Sequence, residues 1–75
     1  MQEEEILLEK LNRIVNRIIN EAEKAFKEGA PYFILRRRWL QRQLRSSKGL
    51  QFILKTLRSK YKVSEDGSWY ILRKA

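Results

Sequence analysis

Seventy-five residues with no cysteine and no histidine suffice for one small domain. They exclude a disulfide framework, a zinc finger, an iron–sulfur site and any Cys/His nucleophile pair. The formal net charge is +8, but residues 1–30 hold five Lys/Arg against seven Asp/Glu, whereas residues 31–75 hold twelve against two. An excess of +10 on 45 residues repels itself unless a polyanion is the partner, which points to nucleic acid.

The acidic start MQEEE has the wrong charge for a secretory or transit signal. The longest apolar runs, Tyr32–Leu35 and Trp69–Leu72, are too short to span a bilayer. A soluble, intracellular protein is expected. No internal repeat or linker divides residues 1–75, and a lone core of this size favours oligomerisation or unusually good packing.

Residues 3–28 predict a long helix. Leu7, Leu8, Leu11, Ile14, Val15, Ile18, Ile19, Ala22, Ala25 and Phe26 fill one stripe about 140° wide. Glu3 to Glu5 suit the positive end of the helix dipole, and Lys24 and Lys27 the negative end. Gly29 and then Pro31 stop the helix. At about 1.5 Å per residue it runs about 39 Å, longer than the remaining chain is expected to cover. The half from Ile18 to Phe26 is expected to pack on the domain. The half bearing Leu7, Leu8, Leu11, Ile14 and Val15 is expected to lie bare and to pair with the same helix of a second copy, giving a homodimer.

In residues 30–45, Tyr32–Leu35 can be a short strand or the first turn of a helix. From Arg36 onward a helix is expected, with Trp39, Leu40 and Leu44 on one side. Arg38, Arg42 and Arg45 fall on the other, at i, i+4 and i+7, without acidic partners in the element. Such guanidinium groups suit phosphates.

Residues 46–61 predict a second amphipathic helix, which Ser46 or Ser47 can cap. Leu50, Ile53, Leu54, Leu57 and Tyr61 form its apolar back. Lys48, Gln51, Phe52, Lys55 and Ser59 form a front of donors with one exposed aromatic. Residues 62–74 predict a hairpin around Asp66-Gly67. In it Trp69 and Ile71 face one way and Tyr70 and Leu72 the other, one pair closing the core.

This order resembles the winged helix-turn-helix family of DNA-binding domains over roughly residues 14–73. The likeness rests on Trp39, Leu40 and Leu44 before the turn, Arg45-Ser46-Ser47 at it, Leu50, Ile53, Leu54 and Leu57 after it, and Asp66-Gly67 at the hairpin tip. The fold implied is α+β and mostly helical, with three helices plus a C-terminal β-hairpin and an extended N-terminal helix. With a single methionine, no cysteine and abundant Glu, Lys, Arg and Ile, the composition looks hyperthermophilic. In composition and architecture together, the chain resembles small transcription regulators from plasmids or viruses of hyperthermophilic archaea.

The resemblance implies that the helix at 46–61 lies in the major groove of double-stranded DNA. Lys48, Gln51, Phe52, Lys55 and Ser59 would then face bases, and Arg38, Arg42 and Arg45 would clamp phosphates. Glu65-Asp66 depart from the basic tip common in the family. Either wing contacts come from Lys62, Ser68, Arg73 or Lys74, or the wing does no DNA work. Two other readings fit the same charge: a non-specific nucleic-acid packager or RNA binder, and a protein-interaction module using the bare end of the first helix. An enzyme, a metal, a cofactor, a membrane or a small-molecule ligand is not expected. The carboxylates lie mostly on the first helix, and no histidine, cysteine or phosphate loop accompanies them.

Overall fold

A computed structural model describes residues 2–44 and 47–75, with side chains described from Leu8 onward. The first helix, α1, spans Gln2–Lys27. It ends as its sequence dictates: Gly29 takes a positive φ of 96°, the left-handed conformation that costs glycine least. The Ala30 N–H donates to the Ala25 carbonyl at 3.0 Å and the Gly29 N–H to the Phe26 carbonyl at 3.0 Å. These two bonds form a Schellman motif that satisfies the last carbonyls of the helix.

Four-residue strand β1 follows, Phe33–Arg36, then helix α2, Arg37–Gln43, helix α3, Ser47–Lys60, and strands β2, Tyr61–Asp66, and β3, Trp69–Lys74. The strands make one antiparallel sheet in the order β1-β3-β2. Tyr32–Leu35, which could have opened a helix, is therefore largely strand. Pairing with β3 decides it, Leu35 lying opposite Tyr70.

Of the elements, α1 packs chiefly across α3 and also touches β1. The core runs from Leu11, Ile14, Val15, Ile18, Ala22 and Phe26 of α1 through Leu35, Leu40 and Leu44 to Ile53, Leu54, Leu57, Tyr61, Tyr70 and Leu72. This corrects the expectation of a bare N-terminal half: Leu11, Ile14 and Val15 are 4–8% exposed within the single chain. The reason is geometric. Leu11 to Phe26 spans about 22 Å of helix, and residues along that whole length share one core cluster with α3 and the sheet. The turns before Leu11 carry the helix on from the core cluster toward Gln2. There Leu8 is 49% exposed, and the side chain of Leu7 lies outside the described residues.

Alternation along the strands separates two sheet faces. Phe33, Leu35, Tyr61, Val63, Tyr70 and Leu72 face the helices, so Tyr70 and Leu72 are the pair that closes the core. Ile34, Arg36, Lys62, Ser64, Asp66, Trp69, Ile71 and Arg73 face outward.

The hairpin tip differs by one residue from the expected Asp66-Gly67. Asp66 is still paired with Trp69, and Gly67-Ser68 make the two-residue turn. Gly67 has φ 60° and no non-glycine residue has a positive φ among the described residues, the pattern of a type II′ turn with glycine first.

One polar bond pins α1 to the start of β2, where Tyr61, expected as the last residue of the helix at 46–61, opens the strand instead. The Tyr61 hydroxyl donates to Glu23 Oε2 at 2.6 Å, beside a tilted Phe26–Tyr61 ring contact at 5.7 Å. Burial and the neighbouring Glu23 carboxylate hold the Tyr61 hydroxyl proton well past its ordinary range. No helix among the described residues is long and apolar enough to cross a membrane.

Candidate nucleic-acid interface

The geometry of α3 follows from its spacing. Gly49, Ile53, Leu54 and Leu57 are buried, so the helix cannot rotate without exposing them. That fixes Lys48, Gln51, Lys55 and Ser59 on the solvent side, all exposed. Among the described residues neither Lys48 nor Lys55 has a carboxylate within 4.0 Å.

Two members of the expected front behave differently. Phe52 is half-buried and packs against the core instead of standing free. An aromatic ring at the border of a helical face lowers its free energy by folding back on apolar neighbours. The Ser59 hydroxyl donates to the Thr56 carbonyl at 2.6 Å; its remaining capacity is that of an acceptor. The Thr56 hydroxyl bonds in the same way to the Phe52 carbonyl, at 2.9 Å.

Helix α2 presents Arg38 and Arg42 to solvent, backed by fully buried Leu40 and by Leu44. Neither arginine has an acidic partner among the described residues. Trp39 is half-buried, with the Arg17 guanidinium 5.8 Å from its ring centre. Arg45, the third arginine of the expected clamp, and Ser46, one of two expected caps, lie outside the described residues. Ser47 is the first residue of α3.

The four expected wing contacts split into two groups. Ser68 is at the turn, whereas Lys62 pairs with Arg73 and Tyr61 with Lys74 at the opposite end of the hairpin. There the Lys74 ammonium lies 5.7 Å from the Phe26 ring centre of α1. The acidic tip also splits. Glu65 points inward, where Arg37 Nη1 approaches its Oε1 at 3.9 Å, and Asp66 points outward. Around the Tyr70 hydroxyl, burial raises the pKa most, Arg37 lowers it and Glu65 raises it, with a lowering contribution from Arg58. The repulsive tip is thus partly neutralised from within.

Sequence reading missed Arg37 and Arg58, which lie close enough to Tyr70 to act on it. It also missed Arg36, whose guanidinium sits 5.4 Å from the centre of the Trp69 ring. The only signal was the run Arg36-Arg37-Arg38, which straddles the boundary between β1 and α2. Compared with family models, curated proteins and solved structures, the chain matches none.

Proposed function

We propose that this chain is a sequence-specific double-stranded DNA-binding protein of winged helix-turn-helix type, acting as a transcription regulator. The observation that carries the reading is α3: a helix locked from behind by Ile53, Leu54 and Leu57, whose exposed Lys48, Gln51 and Lys55 have no acidic partner among the described residues. Side chains of this kind reach base edges. Lysine donates to guanine O6/N7, and glutamine pairs bidentately with adenine. Phe52 drops out of the reading set because it packs on the core. Arg38 and Arg42 serve phosphates, which position a protein without specifying sequence. Pairing of two copies would rest on the first turns of α1 around exposed Leu8.

The test is selection from random duplex DNA at stated salt, followed by fluorescence anisotropy on the enriched sequence. Lys55→Ala and Gln51→Ala should each cost about 1–3 kcal/mol on the selected duplex and little on random DNA. Enrichment of no sequence, with equal binding to all duplexes, would favour the non-specific packager instead.

A further inference from the structure

Between the β1–α2 junction and the hairpin turn lies a cleft of about 500 Å³, lined by Arg36, Arg37, Arg38, Gln41, Trp69 and the Gly67-Ser68 turn. That volume is in the range of small-molecule sites, roughly 300–1,000 Å³. The walls are tied together: the Arg37 N–H donates to the Ser68 carbonyl at 2.9 Å, and Arg36 lies opposite Trp69 in the sheet.

The lining has no carboxylate. Glu65 is the nearby acid, 3.9 Å from Arg37, and Arg36 and Arg38 have no acidic partner among the described residues. Three guanidinium groups offer rigid, forked donors matched to phosphate. Trp69 is 40% exposed, with the Arg36 guanidinium 5.4 Å from its ring centre, so a cation already stacks on the indole and the part of it left open to solvent can take a further flat partner. A ligand that satisfies both walls is anionic at one end and flat and aromatic at the other.

We propose that this cleft binds a nucleotide unit, its phosphate among Arg37 and Arg38 and its base stacked on Trp69, with the Gln41 amide at the base edge. Stacking of a base on an aromatic side chain tolerates any base. The same wall continues along the outward sheet face through Ile71, Ile34 and Arg73, the last with its guanidinium 5.9 Å from the Tyr32 ring centre. A second copy is a poor occupant, because the outward face carries Arg36, Lys62 and Arg73 with Asp66 as its acid, and pairing two such faces sets an excess of like charge together. The site shares Arg38 with the duplex surface proposed above and otherwise stands apart from it.

The chain has two tryptophans, so Trp39→Phe leaves Trp69 as the sole reporter. Its fluorescence is titrated with a nucleoside monophosphate, a short single-stranded thymidine oligomer and inorganic phosphate. Saturable quenching by the mononucleotide and the oligomer alike assigns a free nucleotide. Quenching by the oligomer at roughly tenfold lower concentration or better assigns an unpaired nucleotide within a strand. Either result supports the proposal. In the otherwise unaltered chain, Trp69→Ala and Arg37→Gln should each weaken binding of a labelled oligomer about tenfold while circular dichroism stays unchanged. Absence of quenching by both nucleotide probes overturns the proposal, as does oligomer affinity unaltered by Trp69→Ala. Duplex anisotropy on the same variants separates the two readings, since Trp69→Ala should leave binding to a selected blunt duplex within about twofold.

Discussion

Removing one oxygen from Tyr61 tests how the long helix is held to the rest of the fold. Tyr61→Phe keeps the ring, which is 5% exposed, and its contact with Phe26, so no cavity opens. What is lost is the 2.6 Å bond from the hydroxyl to the Glu23 carboxylate. A bond to a charged acceptor contributes about 1.5–3 kcal/mol. Glu23 is exposed and water replaces part of that, so the cost at pH 7 should be about 1–2 kcal/mol. In a domain of this size each kcal/mol shifts the midpoint by about 4–8 °C.

The same bond makes a second, sharper demand. The Tyr61 hydroxyl titrates above its ordinary value of 10.0 in the fold. As pH rises past 10 the unfolded chain therefore loses the proton first, and stability falls by about 1.4 kcal/mol per pH unit for this group. The phenylalanine variant has no such group, and lysine titration is common to both proteins. The stability gap should be constant from pH 6 to 9 and narrow above pH 10. Urea denaturation followed at 222 nm measures both quantities. Equal stability at pH 7, or a gap that does not shrink above pH 10, would refute the reasoning.

Other perturbations follow from burial and backbone geometry. Leu57→Ala empties a fully buried site and should cost about 2–5 kcal/mol, a large share of the roughly 4–11 kcal/mol expected for 75 residues, measured by urea denaturation. Gly67→Ala meets no atom within 4 Å, but φ 60° strains any side chain. It should cost about 1–2 kcal/mol, read from the thermal midpoint, whereas Ser68→Ala should be nearly neutral. Leu11→Asp should unfold the chain at every protein concentration, because Leu11 is covered by its own domain. Leu8→Asp should leave the fold intact and alter only self-association, measured by analytical ultracentrifugation with circular dichroism.

Local rules were enough for α1, because Gly29 and the apolar stripe each fix one end or one face without help from distant residues. They were also enough for the back of α3, where Ile53, Leu54 and Leu57 share one side by spacing alone. They failed where a distant partner decides. Tyr32–Leu35 carries no local bias between strand and helix, and its pairing with Tyr70 to Leu72 settles it. The coverage of Leu11, Ile14 and Val15 depends on where α3 crosses α1, which periodicity does not encode. Phe52 illustrates a further limit. A helical wheel gives the direction of a Cα–Cβ bond, but a long ring can lean back toward the core. The Trp69 cleft was illegible because it needs the β1–β3 register to set Arg36 opposite Trp69.

The central claim, that the cationic part of this chain faces a double-stranded polyanion, is tested most directly by the salt dependence of duplex binding. One phosphate each for Arg38, Arg42 and Arg45 gives a slope of log K against log salt of at least about −2.7 per chain. Arg42→Ala should flatten that slope by about 1 and weaken selected and random duplexes alike. Duplex affinity that is absent, or that does not change with salt, would contradict the account.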